Sequence, residues 1–222
     1  MLEKNYAAFK KMVLSDSPYE IKFNDIELHP IFSKVHENVL DQHSKIRNKF
    51  FSREGKGIID FLFLDHYLII CYRVANYIYK NNFDLSLAEA IYYSSKVRTS
   101  TDLYYTAEIG DYFMPVHSVG AVMDSRAHFG ELFKVYNGVH MGPYRINGID
   151  PKNWSHPKFG NGVTLLANSS VYGDTEIGNN VIISSNSLVI NEKIPSNCIV
   201  MGQSPKLFIL PNPTNNLDLL TF

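Results

Sequence analysis

The chain has 222 residues, 45% of them apolar, and its 21 basic and 22 acidic side chains leave a net charge of −1. That length holds one large domain or two modest ones and is enough to bury a core. The near-neutral balance, with Lys and Arg scattered, argues against nucleic acid or an anionic membrane surface as the main partner.

Taken in order, the first hundred residues read as helical. Leu2 to Leu14 has helical spacing and is stopped by Ser15-Asp16-Ser17-Pro18. A second helix is predicted over Pro30 to Phe51, a third over Gly57 to Lys80, and a last one over Leu85 to Val97. The third is the strongest. On a helical wheel its Asp65, His66, Arg73, Asn76 and Lys80 fall within about 100° of one another, so it is expected to bury most of its circumference and show one polar stripe. The run from Ile58 to Tyr79 approaches a membrane span in length, but Asp60, Asp65 and Arg73 interrupt it, and a buried helix is expected instead. The first twelve residues lack the apolar run of a signal peptide. Cys71 and Cys198, far apart and in apolar surroundings, are expected as buried thiols. Together these point to a reducing, cytoplasmic setting.

From residue 102 the pattern changes. Read in steps of six, one series runs Leu103, Ile109, Pro115, Ala121, Ala127, Phe133, Val139. It restarts as Phe159, Leu165, Val171, Ile177, Ile183, Val189. A period of six is the signature of a parallel β-helix, three short strands per triangular coil. Turn residues recur between the steps, as in Gly160-Asn161, Gly173-Asp174 and Gly178-Asn179-Asn180, where corners need left-handed or tight backbone. The predicted class is therefore α+β: a helical domain over 1–101, a β-helix of about four coils over 102–209, and a tail over 210–222. Between the two series the period fails from Gly142 to Lys158, where Gly, Pro and Asn are dense; this is read as a loop extruded from a coil. It carries the only tryptophan, Trp154, beside Ser155 and His156. Loops on rigid scaffolds often carry function.

These landmarks, in this order, resemble serine acetyltransferase of the hexapeptide acyltransferase superfamily. They are Asp102, the Ala107–Gly110 turn, His117 and Gly120, Val139–Gly142, Ser155-His156-Pro157-Lys158 and the closing Gly202–Lys206; the Tyr72-Arg73 pair resembles that family's last N-terminal helices. The resemblance implies a left-handed β-helix, assembled as a homotrimer or a dimer of trimers, that transfers an acetyl group directly from acetyl-CoA to a small-molecule acceptor. A neutral imidazole is the best base near pH 7, and His117 is expected to be that base. Asp102 would orient it, as a carboxylate on the far ring nitrogen does, and His156 would hold or help deprotonate the acceptor. Along the pantetheine groove the expected contacts are Gly142, with backbone N–H groups near it for the oxyanion, the small residues Ala167 and Ser185 one coil apart, and Lys206 for a CoA phosphate.

Two departures bear on the acceptor. Val116 stands where the family has an acid and Ser155 where it has an arginine, so both handles for an amino-acid zwitterion are lost. The chain also lacks the family's terminal isoleucine. With Trp154, Tyr104, Tyr105 and Tyr112 as aromatic surfaces, the expected acceptor is a sugar hydroxyl of a surface polysaccharide. True serine acetylation and a non-catalytic trimeric scaffold are the alternatives. No metal site is expected, since no paired His spacing with an accompanying Asp or Cys occurs.

Overall fold

The computed structural model describes residues 1–144 and 150–220. The chain divides into two compact units. One is Met1–Thr106 together with Leu219 and Leu220; the other is Ala107–Asp218.

The helical unit holds four helices and a hairpin. Helix α1 (Leu2–Asp16) turns Tyr6, Phe9 and Val13 inward, and its last residue accepts two bonds from Arg98, at 2.5 and 2.9 Å. Helix α2 (Asp25–Ser44) starts five residues before the predicted Pro30. Asn24 caps the Ile26 N–H at 3.2 Å, and Asp25 and Glu27 face the positive end of the helix dipole. It ends at Ser44 rather than Phe51, because the chain then turns into a hairpin of β1 (Ser52–Arg53) and β2 (Lys56–Gly57). Both turn residues, Glu54 (φ 51°) and Gly55 (φ 72°), are left-handed, which matches the twist of paired strands. Gly57 packs so close to α2 that a Cβ would lie 2.0 Å from the Leu40 carbonyl oxygen. The hairpin thus claims the segment expected to open the third helix, and α3 runs only from Leu64 to Lys80. Helix α4 (Leu85–Thr99), capped by Asp84, follows, then β3 (Asp102–Leu103).

The polar stripe of α3 is not a solvent face. Asp65, His66 and Asn76 are buried. His66 accepts the Asp60 N–H through Nδ1 at 3.2 Å, and Asn76 donates to the Tyr105 carbonyl at 2.7 Å. His66 also packs against His43, ring centroids 5.0 Å apart. Burial pulls both imidazoles down, to about 4 for His66 and about 3 for His43. Cys71 and Cys198 are buried free thiols. No helix among the described residues is long and apolar enough to cross a membrane.

The second unit is a left-handed parallel β-helix of about five turns, one more than expected. Its first turn is β4 (Glu108–Ile109), β5 (Met114–Val116) and β6 (Val122–Met123). The next is β7 (His128–Phe129), β8 (Lys134–Tyr136) and β9 (His140–Gly142). Then come β10 (Lys158–Phe159), β11 (Thr164–Leu165), β12 (Ser170–Tyr172), and β13 (Glu176–Ile177), β14 (Ile182–Ile183), β15 (Leu188–Ile190). It closes with β16 (Lys193–Ile194), β17 (Cys198–Gln203) and an antiparallel β18 (Lys206–Pro211) on β17. One face stacks β4, β7, β10, β13 and β16 in register. Its outward side chains, Glu108, His128, Lys158, Glu176 and Lys193, form a charged ladder with a 2.9 Å His128–Glu108 pair. Inside, Phe129 and Phe159 stack at 5.1 Å with Phe133 against both.

The inward strand positions are Ile109, Phe129, Phe159, Ile177, Ile194 on one face, and Pro115, Val135, Leu165, Ile183, Val200 on the next. The step of six therefore changes phase. After Pro115 the strand-centre residue is Met123, not Ala121, and Phe129 and Val135 follow. Ala121, Ala127, Phe133 and Val139 lie two places earlier in their hexads. They are buried all the same, because each hexad turns two residues inward, at the strand centre and two before it. The shift has a local cause. Between the paired residues Val116/Tyr136 and Val122/His140 the first turn has five residues, 117 to 121, where the second has three, 137 to 139. The later turns also have three, 167 to 169 and 185 to 187.

The predicted tail does not hang free as far as Leu220. Residues Lys206–Pro211 are β18, and Asn216 donates to the Gly162 carbonyl at 2.7 Å. Leu219 then accepts the Arg47 N–H at 2.7 Å, and Leu220 bridges Ile46. Of the predicted loop, residues 145–149 lie outside the described part, as do Thr221 and Phe222, on which the missing isoleucine falls.

Candidate active site

The two extra residues of the first turn are His117 and Ser118. The Gly138 N–H reaches the Val119 carbonyl at 3.0 Å, just as Asn168 reaches Asn137 and Asn186 reaches Ala167. Val119, Asn137, Ala167 and Ser185 therefore hold the same corner place on four successive turns, and the left-handed residue that follows each is Gly120 (φ 75°), Gly138, Asn168 and Asn186. His117 adds a second left-handed residue, at φ 50°, to its own corner. A β-carbon in that region costs about 1 kcal/mol or more. Nothing in the repeat requires it, since three other turns close without it. The result is an exposed histidine at this corner.

The other candidate histidine is held differently. His156, on the segment leading into β10, gives its Nδ1 to Asp124 Oδ2 at 2.5 Å; the two side chains are 12% and 4% exposed. Asp124 follows β6, and its other oxygen, Oδ1, accepts the Arg126 N–H at 2.9 Å. One carboxylate oxygen closes a corner and the other grips an imidazole thirty-two residues away. The Nε2 of His156 is buried and has no hydrogen-bond partner among the described residues. A carboxylate on one ring nitrogen fixes the tautomer and leaves the opposite nitrogen aimed at whatever fills the space before it. The sequence reading missed Asp124. An Asp at a β-helix corner needs no further reason than its turn, so the signal is masked by the local role.

Asp102 opens β3 in the helical unit, whereas His117 belongs to the coil unit. Its carboxylate accepts the Tyr92 hydroxyl and the Lys96 ammonium, both at 2.6 Å. Burial, with Asp102 beside it, holds the Tyr92 hydroxyl up, at about 12. Tyr104 and Tyr105, expected as stacking surfaces, are stacked on each other at 4.3 Å, and both hydroxyls donate to Glu89. A cavity of about 760 Å3 lies in this helical unit between the 17–22 segment and α4; Tyr92 and Glu89 line it. It holds none of the three candidate catalytic residues.

The expected groove residues fall as follows. Ala167 is half-buried and Ser185 exposed, at one corner on consecutive turns, with the Asn186 N–H on the Ala167 carbonyl at 3.1 Å. Small side chains there leave room for a thin ligand. Gly142 ends β9, and its carbonyl accepts from Gly173 at 3.0 Å. Lys206 is exposed at the start of β18. Val116 is the last residue of β5, directly before His117, paired with Tyr136. Trp154 and Ser155 line a smaller cavity of about 280 Å3. Lys134, on β8 beside Thr164, is pushed down to about 8 by burial. Among the described residues no three His, Cys, Asp or Glu side chains converge as a metal site.

Comparison with known proteins bears on the whole arrangement. The hexapeptide family described as "Bacterial transferase hexapeptide (six repeats)" matches residues 156–191. The serine acetyltransferase of Helicobacter pylori is 26% identical over 171 residues, 77% of this chain and 92% of that one. The chain resembles the serine acetyltransferases and carries the hexapeptide repeat. The enzyme of the same name from Synechococcus elongatus is 28% identical over 135 residues, 60% of this chain but only 52% of its own length. Among solved structures, the serine acetyltransferase of Neisseria gonorrhoeae superposes with a TM-score of 0.70 at 22% identity, over 96% of this chain and 82% of that one. A serine acetyltransferase solved in complex with CoA gives 0.66 at 20% identity. At such identities the structural likeness speaks for the fold. The sequence relatives carry the resemblance to serine acetyltransferase.

Proposed function

We propose that the protein is an acetyl-CoA-dependent O-acetyltransferase that moves the acetyl group directly to an acceptor hydroxyl. The observation that carries this is the buried Asp124–His156 pair with its unpartnered Nε2, on the same unit as a histidine that the repeat does not need. In this reading His117 takes the acceptor's proton as its oxygen attacks the thioester carbonyl carbon. The carbon–sulfur bond breaks, the CoA sulfur leaves as thiolate, and the proton held on the imidazole goes to it. His156, fixed by Asp124, hydrogen-bonds the acceptor through Nε2. Asp102, itself placed by Tyr92 and Lys96, stabilises the charged form of His117. The resemblance to serine acetyltransferase supports that last role. Ala167, Ser185 and Gly142 line the path of the pantetheine arm, and Lys206 meets a phosphate.

The names of the relatives make L-serine the first acceptor to test. A second reading rests on the site itself. Val116 and Ser155 bring no charge to grip a zwitterion, and Ser155 opens onto a cavity walled by Trp154, which suits a sugar hydroxyl. The protein is also proposed to act as a homotrimer. Its charged face would stay in solvent, while the β17–β18 hairpin, where Met201, Phe208, Ile209 and Leu210 are exposed, offers apolar surface. A clean monomer in sedimentation would end that part of the proposal. The test of the transfer is thiol release from acetyl-CoA with L-serine and with neutral sugars. Release that vanishes in His117→Ala supports it; release that persists in that variant overturns the assignment of the base.

A further inference from the structure

The cavity lined by Trp154 and Ser155 differs in chemistry from a zwitterion site and from a phosphate site. Trp154 and Tyr144 form its aromatic walls, and Asn153, Ser155, Asp174 and Asn191 supply its polar rim. Its floor is the corner after β12. There Gly173 (φ 73°) lets Tyr144 approach so closely that a Cβ would lie 2.9 Å from the Tyr144 Cβ. Asn191 bonds the Asp174 N–H through Oδ1 at 2.8 Å, which turns its amide NH2 away from that bond and leaves it to donate elsewhere. The rim therefore offers donors, from Asn191, Asn153 and Ser155, together with the acceptor carboxylate of Asp174.

Among the described residues the lining has no cationic side chain, and its one charged group, Asp174, repels a phosphate or carboxylate. A lone ammonium would use Asp174 and the aromatic faces but leave the amide and hydroxyl donors unanswered. A volume of about 280 Å3 suits one small ring and not a nucleotide. A neutral polyhydroxylated ring meets every element: its C–H face lies on an aromatic wall, and vicinal hydroxyls both give and take hydrogen bonds. We propose that this cavity binds the ring of a neutral hexose, as the part of the acceptor that lies beyond the reacting hydroxyl. The inference rests on the transfer reading above and names the acceptor class for it.

Trp154 is the only tryptophan in the chain, so its fluorescence reports this cavity without a label and without turnover. Titration of the full chain with glucose, galactose and N-acetylglucosamine is expected to give a saturable change for at least one of them. Tyr144→Ala and Asp174→Ala are each expected to weaken it about tenfold or more, because a stacking wall and a charged acceptor are lost. No response to any neutral hexose overturns the inference. So does a stronger response to tetramethylammonium or inorganic phosphate, or one that survives both cavity substitutions. Thiol release keeps the two readings apart. Release with L-serine and no hexose binding sinks the cavity assignment alone. Hexose binding with no release on any acceptor sinks the transfer reading and leaves the cavity.

Discussion

Two corners of the β-helix occupy the same place on different turns and are built on different terms. At Ala167–Ser169 and Ser185–Ser187 three residues join the strands, a left-handed Asn takes the bend, and each turn bonds to the one before. At His117–Ala121 five residues span the same gap, two are left-handed, and one of those is a histidine. The regular corners are what the repeat needs to stack. The irregular one keeps the same stacking bond, from Gly138 to Val119, and carries a second left-handed residue that costs conformational energy. In a repeat protein chemistry is thus to be sought where the period is broken, and the second break, the long connection between β9 and β10, carries His156.

That contrast can be broken experimentally, and the most severe test comes first. His117→Ala is expected to lower kcat about 10^2- to 10^4-fold, the range for loss of a general base. Deleting His117 and Ser118 together should cost as much activity while restoring a three-residue corner, with Tm moving by less than about 5 °C because the one buried side chain removed, Ser118, is small and polar. A collapse in Tm would show instead that the insertion is structural. Asp124→Asn keeps a hydrogen-bond partner for His156 but removes the charge; about 10- to 100-fold in kcat should be lost with the fold intact by circular dichroism. If kcat is unchanged, the pair only packs.

A further test moves to the helical unit, whose stability should answer to pH. His43 and His66 have folded values of about 3 and about 4, against about 6.5 when unfolded. Between those limits the unfolded chain binds more protons, so their neutral burial stabilises the fold fully above about pH 6.5. Stability then falls as pH drops toward 4. Urea melts at pH 7 and pH 5 should differ by roughly 2–4 kcal/mol, and His66→Phe should shrink the difference. The smallest effect is expected at Lys206→Ala: a rise of about two- to fivefold in KM for acetyl-CoA, reduced at high salt, with kcat unchanged.

What could be read beforehand follows the same division. The hexads announced the β-helix because every strand-centre residue is apolar, whichever turn it sits on. They could not announce the change of phase, because two positions per hexad point inward, and a step of six that slips by two still lands on buried residues such as Ala121 and Phe133. In the helical unit α3 was plain from its apolar circumference, but its start was not: Gly57 belongs to a hairpin whose signal, Glu54-Gly55, is a two-residue turn with no long-range pattern. The polar stripe of α3 misled, since Asn76 and His66 find backbone partners inside. At the site, His117 and His156 stood out by type and order, while Asp124 did not, since a corner Asp looks the same whether or not its second oxygen is engaged.

The bond from the Arg47 N–H to the Leu219 carbonyl, with Leu220 bridging Ile46, has a consequence for the order of folding. Each turn of the β-helix registers on a neighbour some eighteen to thirty residues away, so turns can be added one at a time. The edge at Ile46 and Arg47 waits for residues more distant along the chain than any of these, and closing so long a loop costs about 2 kcal/mol more in chain entropy than closing one turn. That contact is therefore the last expected to form and the first to open. Exchange of the Arg47 amide would time the completion of the whole fold.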